Sequence, residues 1–192
     1  MMATSSPAPI ALVDVDGVVA DFTHAVCAGT PLRPEDVTQF DIFGLLRGID
    51  PKWEKAAYER LASRTFWAGL EPIEGAAEGV HALRQRGFDV VFLTAPWWSC
   101  DGWEKVRRRW LSEYMDAERN DVVICPSARK PLVAGALLVE DRKETLLAWS
   151  QRWPRAQPFL FDQPYNRETT LPASKRLFGW DDLADKLDVM TL

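Results

Sequence analysis

Ile10-Ala11-Leu12-Val13-Asp14-Val15-Asp16-Gly17-Val18-Val19-Ala20-Asp21-Phe22 begins as an apolar run of strand length and gives way to two carboxylates and a glycine. The run from Ile10 to Val15 predicts a buried strand. Residues two apart on an extended chain point to one face, so Asp14 and Asp16 converge at the strand's C-terminal end. Open α/β sheets hold their ligands at that end. Taken alone, the pair describes equally well two acids that close a strand and start a turn.

Working outward, runs of the same kind recur at Phe88 to Thr94, introduced by Gly87, and at Val122 to Cys125, Ala136 to Val139 and Phe159 to Phe161. Between them lie segments of helical period, carried by Ala76, Val80 and Leu83, by Trp103, Val106, Trp110 and Tyr114, and by Leu146, Trp149 and Trp153. This alternation predicts βαβ units, and so an α/β body whose parallel sheet is covered by helices on both faces. A closing helix is expected over Trp180 to Leu187. Residues 23–72 differ, because they lack a strong strand run and carry Pro31, Pro34 and Pro51 with a helical stretch from Lys52 to Ala62. They are expected to form a small, mainly helical cap inserted after the first strand. Residues 10–22 and 73–192 then make the body, and residues 1–9 a flexible tail.

The chain has 192 residues, 47% of them hydrophobic, which suits one full core and a small appended unit. A net charge of -5 disfavours a nucleic-acid polymer as partner, since such binding needs a basic surface to displace counterions. Three cysteines, Cys27, Cys100 and Cys125, form no CxxC pair and fit a reducing cytoplasm. The first residues lack the basic start and apolar core of a signal peptide. No apolar run approaches the roughly 18 to 20 residues of a membrane span. A homodimer is compatible with all of this.

Three further features bear on Asp14 and Asp16. Thr94 ends the second strand, where its hydroxyl and the adjacent amides, Ala95 included, can hold a phosphate oxygen. Lys130 precedes the fourth strand and offers a mobile ammonium to phosphate charge. Glu140 and Asp141 close that strand with two more carboxylates. Buried acids need a cation, so two acidic groups meeting above a sheet suggest a hard, oxygen-coordinated ion such as Mg²⁺. Arg107, Arg108 and Arg109, on the polar side of a helix, are expected to form a solvated face.

Asp14-x-Asp16-Gly17, Thr94, Lys130 and Glu140-Asp141 resemble, in order and at the strand ends, the four motifs of the haloacid dehalogenase (HAD) superfamily. The likeness runs from residue 10 to about residue 163. It implies a Rossmann-like fold and a phosphatase in which Asp14 attacks phosphorus and Asp16 is the acid/base. Thr94 and Lys130 would hold the phosphate. Mg²⁺ would be held by Asp14, the backbone carbonyl of Asp16 and Asp141, with Glu140 in support. Superfamily members that cleave carbon–halogen bonds lack the second acid, so dehalogenation is not expected.

Within the superfamily the chain is similar to the 5′(3′)-deoxyribonucleotidases. The likeness rests on the opening segment through Phe22, on Phe66-Trp67-x-x-Leu70-Glu71-Pro72-Ile73-x-Gly75-Ala76, and on Phe161-Asp162-Gln163-Pro164-Tyr165-Asn166-Arg167. It implies a nucleoside monophosphate as substrate, with Phe22 helping to sandwich the base. Phe40 and Phe43 are candidates for the cap wall, because bases stack on aromatic rings; Trp67, Trp97 and Trp98 are open to the same reading, the last two following Thr94 closely enough to edge the site. The same rings serve equally as the core of a small cap. The nucleotidases carry an arginine two residues before the motif lysine, where this chain has Ala128, so Arg129 is the candidate substitute. A general phosphatase of small metabolites, such as sugar phosphates or phosphoglycolate, and a nucleotide-binding module without turnover are the competing readings.

Overall fold

The computed structural model describes residues 7–170, 172 and 175–188. Of the tail expected over residues 1–9, residues 1–6 lie outside the described residues. Among the described residues, six strands form one parallel sheet: β1 (Ile10–Asp14), β2 (Asp89–Thr94), β3 (Val122–Ile124), β4 (Leu137–Glu140), β5 (Gln157–Phe161) and β6 (Arg176–Leu177), in the order β3-β2-β1-β4-β5-β6. β1 is flanked by β2 and β4, with Val13 in register with both Phe92 and Val139. The chain winds outward from β1 first one way and then the other. That reversal leaves a crevice at the C-terminal ends of β1, β2 and β4, where α/β sheets accept ligands.

Alternation along the strands divides the core into two layers. Ala11, Val13, Phe92, Leu137, Val139, Phe159 and Phe161 belong to one cluster, with residues of α5 (Ala76–Gln85), α6 (Trp103–Met115) and α8 (Asp181–Asp188). Leu12, Leu93, Leu138 and Leu160 belong to the other, with Leu146 and Trp149 of α7 (Lys143–Arg152). Both faces of the sheet are therefore dry, which is why its strands read as nearly continuous apolar runs. Several buried indoles find partners: Trp149 Nε1 donates to Val133 O at 2.8 Å and Trp180 Nε1 to Val18 O at 2.8 Å, whereas the buried Trp103 Nε1 has none among the described residues. β6 was not foreseen, since two residues are too few to carry a period.

After β1 the chain makes a tight loop in which the amides of Val19 and Ala20 both donate to Val15 O, at 3.0 and 2.8 Å. Four helices follow: α1 (Phe22–Cys27), α2 (Ile42–Ile49), α3 (Pro51–Leu61) and α4 (Arg64–Ala68). Each has a local start signal. Asp21, Asp41, Asp50 and Ser63 are their N-caps, each accepting from a helix amide, and Pro51 occupies the first turn of α3. The helical segment leaves and returns through two neighbouring stretches, joined where Asp21 N donates to Glu71 O at 2.9 Å and Ile73 N to Val19 O at 2.8 Å. That clasp seats α1 to α4 beside the crevice. Among the described residues, no helix is long and apolar enough to cross a membrane.

Candidate active site

Strand ends supply the floor of the site. Asp14 at the end of β1, and Glu140 and Asp141 at the end of β4, bring carboxylate oxygens within 4.8 Å of one another, all of them buried. Lys130 is buried beside them, its Nζ 2.5 Å from Asp14 Oδ1 and 3.6 Å from Glu140 Oε2. Asp14 Oδ1 also accepts from the amide of Val15 at 2.7 Å, which leaves Oδ2 without a hydrogen-bond donor among the described residues. Glu140 Oε1 accepts from the amide of Arg142 at 3.1 Å, while its Oε2 is buried with no hydrogen-bond partner. Tyr165 donates to Asp141 Oδ2, and Asn166 Nδ2 holds the Asp141 carbonyl at 2.8 Å.

Three acids surround one ammonium on the floor, and burial together with their mutual charge shifts every one of these groups. Burial pushes the Asp14 carboxyl well up; the charge of Glu140 adds to this and Lys130 opposes it. Glu140 is raised by burial, with Lys130 opposing and Asp141 adding. Burial and then the charge of Asp14 raise Asp141 to about 7. Lys130 shows the converse: burial works against its charge, yet Asp14 and Glu140 hold the ammonium above its ordinary range. A cluster of oxygen donors that is over-charged when dry fits a hard cation. Gly17 makes the close packing feasible, because its φ is +85° and a Cβ there would lie 2.2 Å from Asp141 Oδ2.

Above this floor lies a cavity of about 290 Å³ lined by residues of both the sheet ends and the helical segment. Phe22, Phe40, Phe43, Trp67 and Trp97 all reach it, as do Asp14, Asp16, Ala95, Lys130, Glu140 and Asp141. The rings are packed in series. Phe22 stacks on Trp67 at 5.8 Å, and Phe43 on Tyr58 at 4.6 Å, while Trp97 lies 5.9 Å from both Phe43 and Trp67. Thr94 ends β2 as expected but is fully buried, is not on the cavity wall, and has an unpartnered hydroxyl.

A profile of the family described as "5′ nucleotidase, deoxy (Pyrimidine), cytosolic type C protein" matches residues 8–191. The chain belongs to this family. The human cytosolic-type 5′(3′)-deoxyribonucleotidase is 29% identical over 181 residues, 89% of this chain and 89% of that one. A HAD family hydrolase from Deinococcus radiodurans R1, solved with bound phosphate and sodium, superposes with a TM-score of 0.63 at 16% identity, over 94% of this chain and 95% of that one. A D,D-heptose 1,7-bisphosphate phosphatase from B. bronchiseptica, solved with magnesium and phosphate, gives 0.52 at 17% identity over 93% and 97%. At these identities the structural neighbours establish the HAD fold. Family and fold together make this member of the type C family an enzyme, a phosphatase of the HAD type.

Three expectations about the side chains are corrected by the structure. Arg129 is exposed and does not line the cavity. It shares a 3₁₀ turn, Ser127–Leu132, with Lys130, and neighbours in such a turn point about 120° apart, so burying Lys130 turns Arg129 outward. Trp98 is 84% exposed for a similar reason, as its neighbour Trp97 takes the inward position. The arginine run is not uniformly solvated: Arg109 is exposed, but Arg107 is fully buried and donates from Nη2 to Asp16 Oδ1 at 2.6 Å. A signal for it was available. Trp103, Arg107, Trp110 and Leu111 fall at positions 0, 4, 7 and 8 of α6, which is an apolar helical face with one arginine in it. Ser127 and Arg142 line the cavity as well and were not singled out from the sequence, and Tyr165, which also lines it, was read only as part of a family-like segment; single polar residues outside the long elements carry no period that would mark them.

Proposed function

We propose that the chain is a Mg²⁺-dependent nucleotidase, acting on nucleoside monophosphates and foremost on deoxynucleotides, through an aspartyl-phosphate on Asp14. The observation that carries this reading is the meeting of a charged, buried floor with a wall of stacked aromatic rings in one cavity. The floor suits a phosphate with its cation, and the rings suit a planar base.

In the first step an Asp14 carboxylate oxygen bonds to phosphorus as the ester P–O bond breaks, and Asp16 gives its proton to the departing nucleoside oxygen. In the second, Asp16 takes a proton from water, the water oxygen bonds to phosphorus, and the acyl-phosphate bond breaks to restore Asp14. Lys130 and Thr94 hold phosphate oxygens, the unpartnered Thr94 hydroxyl being a donor still to be used. Asp14, Asp141 and the backbone carbonyl of Asp16 would hold Mg²⁺, with Glu140 in support. The ion supplies positive charge against the phosphate oxygens. Phe22, Phe40, Phe43, Trp67 and Trp97 surround the nucleoside, with Ala95 beside the phosphate. Residues 23–72 act as the cap over this body, and the enzyme works in the cytoplasm.

Purified protein with Mg²⁺, presented with a panel of phosphate monoesters, tests the substrate. Nucleoside monophosphates are expected to give the highest kcat/KM, deoxynucleotides leading. Faster hydrolysis of sugar phosphates or phosphoglycolate than of every nucleotide would point instead to a general metabolite phosphatase, and binding without turnover to a non-catalytic module.

A further inference from the structure

Arg107 has no part in the chemistry proposed above, and its surroundings are unusual for an arginine. The guanidinium carbon lies 5.1, 5.4 and 6.0 Å from the ring centres of Trp67, Trp103 and Trp110. Among the described residues its only hydrogen bond is the one to Asp16, and Nε and Nη1 are buried without hydrogen-bond partners. Indole faces attract a cation but do not satisfy its N–H groups. A buried, half-satisfied guanidinium is unfavourable relative to an apolar side chain of equal length in the same cage. Packing therefore does not account for it, whereas the carboxylate that Nη2 reaches does.

Asp16 needs such a partner. It stands in the tight loop after β1, with about a quarter of its side chain exposed, and among the described residues Arg107 is the only side chain that hydrogen-bonds it. Arg107 comes from α6, which Trp103 and Trp110 fix in the core, the latter by donating from Nε1 to Leu70 O at 2.7 Å. We propose that Arg107 is the positioning residue of the acid/base. Oδ1 of Asp16 accepts from Arg107 throughout the cycle, so that the proton leaves and returns through Oδ2 and the carboxyl does not swing away between the two steps. Trp67 gives one face to this cage and also lines the cavity, so the acid/base and the substrate wall share a support.

The inference rests on Asp16 being the acid/base, and the test separates the two ideas. The readout is the dependence on leaving group. p-Nitrophenolate departs without a proton, whereas an alkoxide does not. Burst release of p-nitrophenol is compared with single-turnover transfer from whichever alkyl monoester the wild type hydrolyses fastest, nucleotide or not. Asp16→Asn is expected to slow the alkyl transfer at least about 100-fold and the burst less than about 10-fold, as loss of a general acid does. Arg107→Met is expected to show the same signature, with kcat for the alkyl ester down about 100-fold and KM within about two-fold, as for a misplaced catalytic group. Arg107→Lys should recover about ten-fold of that loss by returning one charged donor. Equal losses on both substrates in Arg107→Met, or no loss on either, would overturn the positioning role. Should Arg107→Met not fold, Arg107→Lys decides by the same ratio, a uniform loss refuting the proposal. Asp16→Asn without the signature would overturn the Asp16 reading and the positioning role with it.

Discussion

The floor and the wall of the cavity are built on different physics. On the floor, Asp14, Lys130, Glu140 and Asp141 are buried charges fixed by strand ends and by one 3₁₀ turn. On the wall, Phe22, Phe43, Trp67 and Trp97 are rings held by one another, mostly on short helices between β1 and α5. Displacing a floor residue alters a strong, short-range electrostatic balance. Displacing a wall residue removes dispersion contacts that neighbouring rings partly replace. The floor should therefore govern whether the reaction occurs, and the wall which molecule undergoes it.

The sharpest way to break that contrast is Asp14→Asn. It removes the proposed nucleophile but keeps the shape and the acceptor that Lys130 and the Val15 amide use. Turnover of every monoester is expected to fall by at least about 10³-fold, with the fold intact. Circular dichroism alongside the rate measurement would show both; an unchanged rate would remove Asp14 from the chemistry. At the wall, Phe43→Ala tests the opposite half. Phe43 is half-buried and stacks on Tyr58 at an interplanar angle of 15°. Losing a stacking surface weakens base binding by about 1–3 kcal/mol. KM for nucleotides is thus expected to rise by about 10-fold, with kcat nearly unchanged and a small monoester such as glycerol phosphate unaffected. If both substrates respond alike, the ring is packing for the helical segment and not a surface for substrate.

The same contrast explains what could be read from the chain. Continuous apolar runs of strand length and the acids that end them mark both the sheet and the floor, because a strand's end is where its chemistry must sit. Asp14, Asp16, Glu140 and Asp141 were legible for that reason, and Lys130 by its place before β4. The wall was legible only as a set of candidates: an aromatic ring in a short helix looks the same whether it faces a core or a cavity. Arg107 was misread because the apolar stripe of α6 was centred on Val106 and Tyr114. The structure centres it one residue later, on the line through Trp103, Arg107, Trp110 and Leu111. A charge within an apolar stripe is the pattern that would have singled it out. Arg129 failed the other way, since adjacency to Lys130 in sequence is separation in a 3₁₀ turn.

The smallest expected effect concerns the excess charge of the floor itself. Asp14, Glu140 and Asp141 all titrate above their ordinary range, Asp141 at about 7, chiefly because burial penalises the ionised form. A raised acid holds its proton more tightly folded than unfolded. Its stabilising contribution is complete below the unfolded value of about 4 and is lost as pH climbs through the folded one. Lys130, raised as well, stays charged across this window and does not offset the loss. Metal-free protein is therefore expected to melt several degrees lower at pH 8 than at pH 5, with a ΔΔG of about 1 kcal/mol shifting the midpoint by about 2–4 °C in a chain of this size. Saturating Mg²⁺ competes with those protons, so it should raise the melting temperature more at pH 8 than at pH 5. The sign of that difference is diagnostic. If Mg²⁺ binds away from the three carboxylates, its effect on melting will not follow their titration, and the two shifts will be equal.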